Sequence, residues 1–125
     1  MDAIPGKQLS DMVQLGFMAS FHGEPDKSEQ IFLGLQGMNP DCDDIALGLA
    51  VAKINAGHTK SAIEILENKV LANKTIHNIG SVFLAWAHKS VGNTRKYDEI
   101  SDLVMNSQDQ EAISLLKSLQ ESVPA

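Results

Sequence analysis

Residues 47–66, LGLAVAKINAGHTKSAIEIL, decide how the rest of the chain is read. The stretch breaks once, at Asn55-Ala56-Gly57-His58, and on both sides apolar residues recur at spacings of three and four, the period of one helix face. Gly57 suits a helix end, where a left-handed residue closes the last turn, and Thr59 suits the cap of the next helix. Small residues (Ala46, Ala50 and Ala62) fall where the two arms of a helical hairpin would touch. The stretch therefore reads as helix, turn, helix.

The same grammar extends in both directions. Upstream, Leu9, Met12, Val13, Phe17 and Phe21 predict a helix over 7–22, broken at Gly23-Glu24-Pro25. Pro25 fits the first turn of a second helix, where its missing N–H costs nothing. Ile31, Phe32 and Leu35 give that helix its apolar face, and Gly37 and Pro40 end it. Asp41, Asp43 and Asp44 precede the next apolar run, where acidic residues serve as caps and complement the helix dipole, and the third helix is expected over about 43–55. Downstream of residue 66, a restart at Asn73 or Thr75 leads into a helix with Ile79, Val82, Phe83 and Trp86. Gly92-Asn93 stops it, with Thr94 as the expected next cap. Tyr97, Ile100, Val104 and Met105 mark a sixth helix, and Asp109 caps a seventh carrying Ala112, Ile113, Leu116 and Leu119. No window alternates with a sustained period of two, so the chain is predicted to be all-α: about seven antiparallel helices in a single domain, residues 1–125.

Gly23, Gly57 and Gly92 fall 34 and 35 residues apart, the period of the tetratricopeptide repeat. Seven residues before each stand Gly16, Ala50 and Ala85, small enough for close helix packing. Five after stand Ser28, Ala62 and Tyr97, and nine after stand Phe32, Leu66 and Ser101, so the third copy departs in its second helix. The expected organisation is three tetratricopeptide-like hairpins, 7–40, 41–74 and 75–108, with a capping helix at 109–121, since terminal repeats need a cap. A plain helical bundle with glycine turns is the alternative.

Stacked hairpins curve, and their first helices line the concave side. Ten residues before the glycines stand Val13, Leu47 and Val82; six before stand Phe17, Val51 and Trp86; Ile54 adds to the second repeat. All are apolar, which fits a dry trough for the apolar face of a partner's amphipathic helix. They fit a closed core equally well, because a helix apolar on most of its circumference is a buried one. An open trough of this kind predicts self-association or poor solubility without a partner.

Other functions find little support. A net charge of −6 with scattered Lys and Arg argues against nucleic acid and against anionic lipid. No apolar run reaches the length of a membrane span, and no signal peptide is evident at the start. Cys42 is the only cysteine, which excludes an internal disulfide and favours a reducing compartment. Its acidic neighbours would disfavour a reactive thiolate. His22, His58, His77 and His88 lack metal-ligand spacing, the Asp41–Asp44 cluster lacks the spaced oxygens of a calcium loop, and Gly34, Gly37 and Gly48 make no phosphate loop. No catalytic residue, cofactor or metal is therefore expected, and the chain is not expected to be an enzyme.

Four segments, LGFMASFHGEPDKSEQIFLGLQGMNPD, ALGLAVAKINAGHTKSAIEIL, FLAWAHKSVGN and SQDQEAISLLKSL, together resemble the small tetratricopeptide-like proteins of bacterial type III secretion, over about residues 9–120. Two groups share this pattern: the needle-subunit chaperones of animal-pathogen systems and the Hrp-type small proteins of plant-associated bacteria. The resemblance implies a cytoplasmic bacterial virulence chaperone that cradles the needle subunit, or a similar secreted subunit, by its amphipathic helix and so prevents premature polymerisation. It places that cradle on Val13, Phe17, Leu47, Val51, Val82 and Trp86. It also implies a small helical co-chaperone meeting the first hairpin at Met12 and Phe21. A generic scaffold or adaptor of the same fold, or a homodimer with no export role, is the competing expectation.

Overall fold

A computed structural model of the chain describes residues 6–70 and 78–122. These form seven α-helices in the order α1 (Gly6–Phe21), α2 (Pro25–Met38), α3 (Asp43–Asn55), α4 (Thr59–Ile65), α5 (Asn78–Ser90), α6 (Thr94–Met105) and α7 (Gln110–Ser122). A π-helical turn, Leu66–Val70, prolongs α4. There is no strand among the described residues, so the all-α class holds. The expected restart at Asn73 or Thr75, and the boundary between 74 and 75, lie outside the described residues.

Three turns join the paired helices α1–α2, α3–α4 and α5–α6, and they are built alike. Gly23, Gly57 and Gly92 all take a positive φ, at 78°, 87° and 84°. At each, the glycine N–H donates to the carbonyl three residues back (Ser20, Ile54, Lys89). The next N–H donates to the carbonyl five back, with Glu24 to Ala19 at 2.9 Å, His58 to Lys53 at 2.7 Å and Asn93 to His88 at 2.8 Å. This pair of bonds satisfies the open carbonyls of a helix end, and it requires a left-handed residue that glycine adopts without a Cβ penalty.

The helix starts are less uniform than the sequence suggested. Asn93, not Thr94, caps α6, its side chain accepting from the Lys96 N–H at 3.3 Å. Thr59 is already the first helical residue of α4 and is buried, and His58 before it makes no side-chain cap bond. Cys42 occupies the corresponding place before α3, with no cap bond, while Asp43 and Asp44 sit in the first turn. A threonine one residue inside the boundary is helical itself, so it does not take the place of the cap, whereas acidic residues in the first turn still complement the helix dipole. Asp109 does cap: its Oδ1 accepts from the Ala112 N–H at 3.2 Å, and its Oδ2 accepts from Asn78 Nδ2 at 3.2 Å, tying the start of α7 to the start of α5.

The core is centred on α3. Residues 45–52 and Ile54 are all buried, because α1, α2, α4 and α5 surround the helix. Between α1 and α3 the ring of Phe32, fully buried on α2, is seated against two glycines. A Cβ on Gly16 would come within 2.6 Å of that ring, and one on Gly48 would come closer still. Beside it, Ser28 Oγ donates to the Gly16 carbonyl at 2.7 Å and accepts from Ser20 Oγ at 2.9 Å, so two buried hydroxyls are satisfied within the contact. Lys53 and Glu29, both largely covered, close the outside of the α2–α3 contact with a 2.7 Å ion pair.

The third pair departs as its sequence does. Ser101 stands where Phe32 and Leu66 stand, and its Oγ is buried without a hydrogen-bond partner. Tyr97, where the other pairs carry a small residue, turns to the surface. There Lys89 Nζ lies 4.9 Å from its ring centroid, and Gln120 Nε2 on α7 donates to its hydroxyl at 2.9 Å.

Candidate protein-binding surface

The first helices of the pairs (α1, α3 and α5) carry every residue expected to line a trough, and the structure divides these residues in two. Val51 and Val82 are completely covered, with Leu47 and Ile54 at 5% and 8% exposure. These four are core in the chain as it stands. The reasons differ. Leu47, Val51 and Ile54 belong to α3, which has neighbours on all sides and packs against Phe83, Leu84 and Ala87 of α5. Val82 is covered by the last two helices, in a cluster with Val104, Ala112, Ile113 and Leu116. The last two helices therefore close over Val82, which the sequence reading expected to line a trough.

Val13, Phe17 and Trp86 are half-buried. Phe17 on α1 and Trp86 on α5 both pack against the buried cluster that contains Leu47, Val51 and Ile54. Each has a second ring beside it. Phe21 stacks on Phe17 with centroids 6.2 Å apart and planes 18° apart, and Phe83 lies 6.1 Å from Trp86. Phe17 also meets Phe32 edge-on at 5.2 Å, which fixes it to the rigid part of the core. Phe17 and Trp86 are partly exposed aromatics at the rim of a closed core. Such a rim can accept the apolar face of a helix, and partly exposed aromatics provide large contact area at low conformational cost.

Met12 and Phe21, which the resemblance assigns to a co-chaperone, are exposed at 37% and 67%. Leu15 and Met18, at 57% and 52%, are exposed on the same helix and were not singled out from the sequence. Their signal was present in the spacing: the buried side of α1 was already filled by Leu9, Val13, Gly16 and Phe17.

Two clefts lie elsewhere. One of about 510 Å3 is lined by Pro40, Asp41, Cys42, Asp43 and Lys69 among others, and one of about 600 Å3 runs along the turn at Gly57 and His58 to Ser90 and Val91. Among the described residues no three His, Cys, Asp or Glu side chains are grouped so as to hold a metal ion, and no helix is long and apolar enough to cross a membrane.

No protein-family model matches the chain, and no curated protein matches it either.

Proposed function

We propose that the chain is a protein-binding helical module of the tetratricopeptide-like kind, acting as a chaperone that holds an amphipathic helix of a partner against the Phe17–Trp86 rim. The observation that carries this reading is the pair of half-buried aromatics, one from α1 and one from α5, both packed against the buried cluster that contains Leu47, Val51 and Ile54. A partner helix laid between them would bury both rings without opening the core. The resemblance of the sequence to type III secretion chaperones makes the partner a needle subunit or a similar secreted subunit, held in the bacterial cytoplasm so that it does not polymerise early.

The test is whether a short needle-like protein is encoded beside this chain and, where one is, its co-expression with the chain. The expected result is a soluble complex that dissociates when Trp86→Glu is introduced, with the helical circular dichroism of the variant unchanged. Val51→Asp serves as the contrast: it places an unpaired charge in a fully covered site and should unfold the chain outright. A Trp86→Glu chain that folds and still holds the needle-like protein would move the binding surface elsewhere.

A further inference from the structure

The outer side of α1 carries a pattern distinct from the rim. At 3.6 residues per turn, Asp11, Leu15, Met18 and His22, spaced four, three and four apart, form one row along the helix. All four are exposed, and they lie opposite the side on which Leu9, Val13 and Phe17 pack inward. His22 continues the helix, its N–H donating to the Met18 carbonyl at 2.9 Å. Met12 and Phe21 stand on the two flanks of the row.

The row is symmetric about its own midpoint, between Gly16 and Phe17. Two apolar side chains occupy the centre, with a carboxylate at one end and an imidazole at the other. Reversed and laid on itself, it sets Leu15 against Met18 twice and Asp11 against His22 twice. A spacing of four, three, four is also that of the seam between two helices packed nearly parallel to each other, where knobs of one fill holes of the other. An isologous contact requires this property of a surface, that it complement itself under a two-fold rotation.

We propose that the outer face of α1 is a dimer interface in which a second copy of this chain packs its α1 antiparallel, Leu15 facing Met18 of the other copy and the Asp11 carboxylate accepting from the His22 imidazole N–H. The area is adequate. At the stated exposures Met12, Leu15, Met18 and Phe21 offer roughly 400 Å2 of apolar surface per copy, most of the apolar part of a standard interface of about 800 Å2 per partner. At the opposite end α7 presents Glu111, Ser114, Lys117 and Ser118 to solvent, and the exposed apolar side chains there, Leu103 and Met105, belong to α6. This inference does not depend on the proposed chaperone role: the row of Asp11, Leu15, Met18 and His22 includes neither Phe17 nor Trp86, and Phe21, stacked on Phe17, borders both surfaces.

Sedimentation velocity of the full chain over a concentration series tests it. The expected species has twice the 13.5 kDa chain mass. Leu15→Glu with Met18→Glu should raise the dissociation constant by about 100-fold or more, the scale of two central contacts turned to like charges, at unchanged helix content. The register has its own experiment, which needs no apolar substitution. In a Cys42→Ser background, Asp11→Cys together with His22→Cys should give a covalent dimer on mild oxidation, and neither substitution alone should. A chain that stays monomeric at concentrations on the order of 100 μM overturns the proposal. So does a dimer that survives the double glutamate substitution, a single-cysteine variant that cross-links as readily as the pair, or a small helical co-chaperone found on this row in place of a second copy.

Discussion

The two ends of the molecule are built in opposite ways. At the amino end the inside is tight and the outside is apolar: the Phe32 ring fills the space between Gly16 and Gly48, while Leu15, Met18 and Phe21 face solvent. At the carboxyl end the outside is mixed, with Leu103 and Met105 of α6 exposed beside a polar face of α7, and the inside is imperfect. There α7 covers Val82 and Val104 and turns serines, Glu111 and Lys117 outward, but Ser101 leaves a buried hydroxyl without a partner. A stack of helical hairpins must terminate at both ends. Among the described residues α7 covers Val82 and Val104 on one side of the stack, whereas on the other the outer face of α1 carries Leu15 and Met18 exposed in one row.

Substitutions at each end sharpen this contrast. The largest effect is expected at the tight end. Gly48→Ala would drive a methyl into the Phe32 ring, which is held on every side, and should destabilise by about 1–3 kcal/mol through overpacking, measured by urea unfolding. The same substitution at Gly34, where an added Cβ meets nothing, is the matched control. At the other end the sign should reverse. Ser101→Ala removes the unpaired buried hydroxyl and should stabilise by about 1 kcal/mol in the same assay. A loss there would mean that the hydroxyl has a partner in solution.

The smallest effect concerns the cap. The Ala112 N–H, first, and then the Asn78 side-chain amide bond the Asp109 carboxylate, and together they hold its pKa below the ordinary aspartate value of 3.8. A carboxyl lowered on folding contributes stability that is fully present above its unfolded pKa and is lost as the pH falls through its folded pKa. Acid should therefore loosen the α5–α7 junction at pH values below 3.8, and Asp109→Asn should flatten that part of the stability–pH curve.

These differences also mark what was readable in the sequence. Helices and turns were readable because their causes are local: Gly23, Gly57 and Gly92 announce three left-handed turns, and spacings of three and four announce the faces. Boundaries failed by a residue where two candidate caps were adjacent, as with Asn93 and Thr94. Exposure was the least readable property. Val51 and Phe17 occupy equivalent places in their helices, yet one is core and the other half-open, because α3 has a helix on either side and α1 has one side free. Val82 is equivalent to Val13 and is covered because a helix more than two dozen residues later folds over it. Gly48 carried no signal by itself, since its role depends on a ring from another helix.

The seating of Phe32 restricts the order in which the chain can change. Gly16 and Gly48 lie on different helices, 32 residues apart, yet each is held to glycine by one shared side chain. Neither can acquire a side chain while the ring remains, whereas a smaller residue at 32 would release both together. In a lineage of such chains the three positions would drift as a set, with the change at 32 coming first.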